Sequence, residues 1–327
     1  MNNEEIKSLS DFLDKIKKTK KNNIFFRGHS DINYKLEPNI YRSSKEKSLA
    51  TYEHEMFKEV IIKNPHDFEP LKLNFEKLAL MQHYGLPTRL LDLSENPLVA
   101  LFFACSKKYD KRNGKDGELI EFEIPNNLIK YYDSDAVSLL SCFSKIDPQK
   151  FSSFNKELEE KILASKLDTL IKRIKSNKQQ STVTTVYYYA KNNATGDEKK
   201  EIHDILNSCS LLDYLTYEIG EEKPHFRKVV QIEHFNNSIL CVKPKLNNQR
   251  LLSQQGLFLL FGIKDGDKLK ISELSKTSIK IKKYTIPKDA KKNILDELEL
   301  FGITEDKIYP ELSNSTEFIT RKHKKRL

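Results

Sequence analysis

The 327-residue chain has no tryptophan and four cysteines, and it is sparing with the residues that interrupt regular structure, at 10 glycines and 11 prolines. Cys105, Cys142, Cys209 and Cys241 stand far apart, with no CxxC or CxxH pair. That excludes a disulfide framework and a zinc site, so no metal is expected, and the four thiols read as small buried hydrophobes. No apolar run approaches the roughly 20 residues of a membrane-spanning helix. The longest runs, Leu98 to Cys105 and Leu257 to Ile263, read as core elements. The first residues are charged from Glu4 onward and lack an apolar signal region, so a cytoplasmic location without membrane contact is expected. A P-loop, GxGxxG, HExxH and GxSxG are all absent, which removes the common nucleotide, zinc-protease and hydrolase templates.

What is present is enough for a folded body. Hydrophobic residues make up 38%, including 14 Tyr and 18 Phe, which excludes disorder for the bulk of the chain. The length fits one large domain or two small ones. Lys and Arg exceed Asp and Glu by 56 to 47, a net charge of +9, and this excess favours acidic partners without specifying one.

The spacing of Ile6, Leu9, Phe12, Leu13 and Ile16 predicts an amphipathic helix over residues 4–18, with Ser10 and Asp11 available to cap it. Ile24 to Phe26 reads as a buried strand stopped by Arg27 and Gly28. Helices are predicted from Tyr52 to about Asn64, from Phe75 to Tyr84, and from Pro97 through the apolar stretch ending at Ala104. Glu118 to Ile124 alternates and predicts a half-exposed strand. Residues 126–228 turn rich in Lys, Ser, Asn and Glu and predict an inserted helical region lying on the main domain. Strands follow at Val229 to Ile232, Ile239 to Val242, Leu257 to Phe261 and Ile279 to Ile286, then a helix from Asp289 to Phe301 and a mobile basic run from Arg321 to Arg326.

Three stretches concentrate polar groups beside apolar ones. Gln82 to Pro97 holds His83, Tyr84, Thr88, Arg89, Asp92, Ser94, Glu95 and Asn96 between two apolar helices. It is either a ligand pocket or a structural loop in which Arg89 pairs with Asp92 and Ser94 caps the helix near Pro97. Arg27 leaves a buried strand beside Gly28, where its planar fork suits a phosphate or a carboxylate, or simply a neighbouring acid. Gln254 and Gln255 stand just before an apolar strand, where amides hold a ligand hydroxyl or satisfy backbone groups.

Together these stretches resemble the FRG domain family. The resemblance rests on Phe26-Arg27-Gly28, Leu36-Glu37-Pro38 with Tyr41-Arg42, Gln82 to Asp92, Asn96-Pro97-Leu98 with Ala100 to Ala104, Arg250, Gln254, Gly256 and Phe258, and Tyr309 to Leu312. It covers about residues 24–312 and gives an organisation of an N-terminal helix (1–23), a first FRG part (24–125), the helical insertion (126–228), a second FRG part (229–312) and a basic tail (313–327). The family in turn resembles divergent ADP-ribosyltransferases, which implies an α+β fold with a split β-sheet core and surrounding helices. The implied co-substrate is NAD, held by Arg27, Gly28, His83, Tyr84, Thr88, Arg89, Asp92, Ser94, Gln254 and Gln255, with Arg27, His83, Ser94 and Gln254 implied as catalytic. The implied acceptor is RNA and the implied setting an antiphage toxin with an antitoxin or chaperone partner. Protein modification, NAD hydrolysis and a non-catalytic binding module remain alternatives. Two positions depart from the family: an amide stands where an acid commonly activates the acceptor, leaving His83 or another acid as base, and Leu93-Ser94 replaces Trp-Thr.

Overall fold

In the computed structural model, which describes residues 4–17, 23–42, 49–106, 114–227 and 230–324, helices surround one large sheet. The fold is therefore α+β. Among the described residues ten strands are formed: β1 (Glu4–Glu5), β2 (Ile24–His29), β3 (Leu90–Ser94), β4 (Gly117–Glu123), β5 (Ile129–Tyr131), β6 (Ile239–Lys243), β7 (Gly256–Phe261), β8 (Ile263–Lys264), β9 (Asp267–Ile271) and β10 (Lys280–Ile286). Eight of them make a sheet in the order β1-β10-β4-β2-β3-β7-β6-β5, antiparallel inside and parallel at both edge pairs, while β8 and β9 form a separate ribbon.

The register divides this sheet. β2 pairs with β4 along all six of its residues, and β3 pairs with β7 along all five, yet β2 and β3 meet at the single pair Phe26 and Ser94. On one face, Phe26 packs with Val99, Ala100 and Leu101 of the Pro97–Cys105 helix and with Ile294 and Leu298 of the Lys291–Leu300 helix. Further along the same face, Leu90, Phe258 and Leu260 pack against Phe75, Leu78 and Met81 of the Asn74–His83 helix and the helices that follow. Phe25, Leu91, Leu93, Ile120 and Phe122 fill the opposite face. The first face thus carries two helical layers that part over the weak joint between β2 and β3.

Several sequence expectations change. The opening helix is Leu9–Ile16, capped by Ser8 rather than by Ser10 or Asp11, because Glu4 and Glu5 extend the sheet beside Tyr284 and Thr285. β2 runs through Arg27 and Gly28 instead of stopping there, since β4 offers a full ladder of partners. β4 is interior and almost wholly buried rather than half-exposed. Its Glu121 accepts from the Tyr284 hydroxyl at 3.1 Å, and Glu118 accepts from Lys283 at 3.0 Å. Residues 126–228 do supply many helices, but Ile129–Tyr131 joins the sheet edge, and the helices share one apolar cluster with β3, β6 and β7. Val230 lies outside any strand and Ile232–Phe235 is a 3-10 turn that buries both end residues; the expected strand's Val229 falls outside the described residues. Arg321 is no mobile tail but part of the Leu312–Lys324 helix, paired with Glu305, while residues 325–327 lie outside the described set.

Gly28 is required by close packing. A Cβ there would lie 2.0 Å from the Ala100 carbonyl oxygen and 2.5 Å from the Ala104 nitrogen, both backbone atoms of the Pro97–Cys105 helix. Gly28→Ala is expected to destabilise the fold by about 1–3 kcal/mol as that helix is pushed off the sheet. Urea unfolding measures it, and an unshifted midpoint would disprove the contact.

Candidate functional site

A cavity of about 490 Å³ opens where the two halves of the sheet part. Phe26 to Ser30 of β2 and its following turn form one wall, and Asp92 to Ser94 of β3 form another. Ala79, Gln82 and His83 come from one helical layer, Ala100 and Phe103 from the other, and Arg250, Leu251, Gln254 and Tyr309 close the far side. The loop after β2 adds Tyr34, Asn39 and Arg42.

The missing ladder bonds explain the position of Arg27. Its Nη1 donates to the Asp92 carbonyl at 2.6 Å, bridging β2 to β3, and lies 3.6 Å from Asp92 Oδ2. Its Nε donates to His29 Nε2 at 2.9 Å, which makes that nitrogen an acceptor and turns Nδ1–H toward Glu118 at 3.6 Å. Burial, followed by the neighbouring arginines, holds the His29 imidazole below its usual range despite Glu118, so this histidine is neutral, with Nε2 taken by Arg27 and Nδ1 buried without a hydrogen bond among the described residues. Burial also pulls the Arg27 guanidinium down; Asp92 opposes this and Arg42 adds to it. Arginine keeps its charge in a protein. A depressed value therefore means a cation whose local compensation is incomplete.

Arg42 repeats the pattern. Burial is its largest influence, Glu37 and Asp92 oppose it, and its Nε and Nη2 donate to the carbonyls of Glu37 and Lys35 at 3.0 and 3.3 Å. Arg250 completes a group of three guanidiniums. It pairs with Glu311 at 2.7 Å and lies over the Tyr309 ring at 5.3 Å. Against these three cations, Asp92 is the one carboxylate lining the cavity among the described residues. With Arg250 offset by Glu311, the cationic surplus at the cavity rests on Arg27 and Arg42, and paired guanidiniums suit phosphate oxygens.

Asp92 is itself oriented. The Leu90 amide donates to Thr88 Oγ1 at 3.2 Å, which directs the Thr88 hydroxyl proton to Gln82 Oε1 at 2.8 Å. The Gln82 amide then presents its NH₂ to Asp92 Oδ2 at 3.1 Å. Gln254 is held in turn: its Nε2 donates to the Ile308 carbonyl at 3.1 Å, and its own carbonyl accepts from Ser94 Oγ at 2.7 Å. Burial, then Arg250, keeps His83 below the ordinary imidazole range.

Of the ten residues expected at the site, Arg27, Gly28, His83, Asp92, Ser94 and Gln254 line the cavity, whereas Tyr84, Thr88, Arg89 and Gln255 do not. Tyr84 is 76% exposed, its ring edge against His83. Thr88 serves the relay to Asp92. Gln255 is exposed and adopts a left-handed backbone, φ 45°, ending the Gln249–Gln254 helix. Arg89 is wholly buried and paired through two nitrogens with Glu53, not with Asp92. Asn96, not Ser94, caps the helix that follows, accepting from the Leu98 amide at 2.9 Å, because the cap must directly precede Pro97 in the first turn. The lining residues that sequence reading left out of the site include His29, Tyr34, Asn39, Arg42, Arg250 and Tyr309. Three of them, Arg42, Arg250 and Tyr309, stand within quoted motifs, but only the fold brings them to one cavity.

Residues 22–113 match the family model of the FRG domain. That segment supplies Arg27, Arg42, the Gln82-to-Asp92 relay and the helix against Gly28, and it leaves out Arg250, Gln254 and Tyr309. No curated protein and no solved structure matches the chain.

Proposed function

Residues 22–113 are an FRG domain, and from that premise we propose that the protein is an NAD-dependent ADP-ribosyltransferase that modifies RNA and acts as a toxin. The observation that carries the reading is the cavity at the parted strands, where Arg27 and Arg42 outnumber the single lining carboxylate among the described residues. A dinucleotide brings a diphosphate to match such a surplus, and a volume of about 490 Å³ lies in the range of small-molecule sites. In this reading Arg27 and Arg42 grip the diphosphate, while Gln254, tied down at both its side chain and its carbonyl, orients a ribose hydroxyl. Groups fixed in this way hold the sugar in position while an oxocarbenium-like centre develops at C1′, without reorganising as it forms. An RNA acceptor is favoured by the +9 net charge, which offsets phosphates, and by the exposed rings of Tyr34 and Tyr84, which offer bases a stacking surface.

The test is incubation of purified protein with NAD labelled in its adenylate half, together with total RNA or cell lysate, following free nicotinamide and macromolecular label. Label in RNA is the expected result. Label in protein would keep the reaction and change the acceptor, and nicotinamide alone would make the protein an NAD hydrolase. Tight NAD binding without release of nicotinamide would make it a binding module, the outcome that an amide at position 254 favours.

A further inference from the structure

The proposed transfer leaves a proton without a destination. Gln254 is an amide and accepts none, and His29 is buried with its acceptor nitrogen, Nε2, already taken by Arg27. Asp92 is the lining carboxylate that remains. Its Oδ2 takes the Gln82 amide and faces Arg27, whereas Oδ1 carries no hydrogen bond among the described residues. The side chain is 54% exposed at the cavity. Nor is it a passive counterion to Arg27. At 3.6 Å that contact is looser than a direct hydrogen bond, and Arg27 spends its best donor on the Asp92 backbone instead. The Leu90–Thr88–Gln82 relay fixes one carboxylate oxygen and leaves the other without a hydrogen bond among the described residues, on a residue that lines the cavity.

We propose that Asp92 is the catalytic base of this site, and the proposal rests on the transferase reading above. The bond between C1′ and the nicotinamide nitrogen breaks, with its electron pair staying on the ring. The acceptor's oxygen or nitrogen supplies the pair for the new bond to C1′, and the proton that this atom sheds passes to Oδ1 of Asp92 and then to water. Asp92 thereby does from β3 what the amide at 254 does not do from the far wall.

The experiment compares wild type, Asp92→Ala, Asp92→Asn and Asp92→Glu in NAD-dependent transfer, separating kcat from KM for NAD, with circular dichroism to establish folding. Expected are a kcat lowered about 10²–10⁴-fold in Ala and Asn, a KM within a few-fold of wild type, partial activity in Glu, and partial recovery of Asp92→Ala by added formate. A rise in KM at unchanged kcat would overturn the proposal and make Asp92 a positioning residue for Arg27. Loss that neither formate nor Glu relieves would overturn it as well, as would retained transfer in Asp92→Ala together with loss in His83→Ala. A wild-type protein that turns over no NAD removes the transferase reading itself, a result recognisable before any variant is made.

Discussion

In the proposed transferase, Arg27→Ala is expected to lower NAD turnover by about 10²–10³-fold and to leave the fold standing. The two halves of this prediction have separate physical causes. In the cavity, Arg27 shares the carboxylate of Asp92 with Arg42, and burial without full compensation depresses both guanidiniums. Truncating one of them relieves that repulsion. It removes two bonds, one to the Asp92 carbonyl, which then faces open cavity, and one to the buried His29 Nε2, so the loss of stability is about 1–3 kcal/mol and the fold survives it. The ligand loses a charged fork that no neighbour replaces. Arg27→Lys should recover little, since a single ammonium does not reach both the Asp92 carbonyl and His29 Nε2 while facing a phosphate. Nicotinamide release and urea unfolding, measured on the same preparation, check both halves. A variant with unchanged turnover would remove Arg27 from the site, and one that unfolds would make it structural.

Residue types foretold this part of the site better than its geometry. The Pro97–Cys105 helix is legible because Pro97 suits a first turn and the following run is apolar throughout. Arg27 and Asp92 announce themselves as charges beside apolar runs. Nothing in the periodicity reveals that β2 and β3 share one pair, because register is settled by what each strand finds on its other side, here β4 and β7. β1 has two residues, too few for any pattern to declare. Arg42, Arg250 and Tyr309 reach the cavity from a loop, a short helix and the stretch before the last helix, contacts made across long stretches of sequence. The same limit misleads over Arg89: on local grounds it belongs with Asp92, three residues on, but its partner is Glu53, 36 residues back.

That partnership makes Arg89 the opposite case to Arg27. Its Nε donates to Glu53 Oε1 at 2.8 Å and its Nη1 to the Phe261 carbonyl at 3.2 Å, with no exposure to solvent. Burial pushes the Glu53 carboxyl upward, but Arg89 and Lys268 outweigh it and hold Glu53 ionised. Arg89→Ala removes the close partner, leaves the Phe261 carbonyl without this donor and opens a void. The expected loss is about 3–5 kcal/mol, nearer the lower figure because Lys268, 3.6 Å from Glu53, remains to face it. Lys268 gives the loss a pH signature. Burial pulls its amine down to about 8, and Arg89 adds to that effect. Between pH 8 and the ordinary value of 10.5, the wild-type folded state therefore binds fewer protons than the unfolded chain, and this lysine adds stability as pH rises. Without Arg89, Glu53 holds the Lys268 proton to higher pH in the folded state, and the part of the gain that Arg89 causes disappears while the larger part, from burial, remains. The stability difference between wild type and Arg89→Ala should thus widen from pH 7.5 to pH 9.5. Burial raises all four thiols, which stay protonated in both folded proteins over this range and cancel in that difference. Paired urea titrations at the two pH values measure it; a constant gap would show that Arg89 does not set the charge of Lys268, and a gap under about 1 kcal/mol would show that the buried pair does not hold the loop between Gln82 and Asp92 in place.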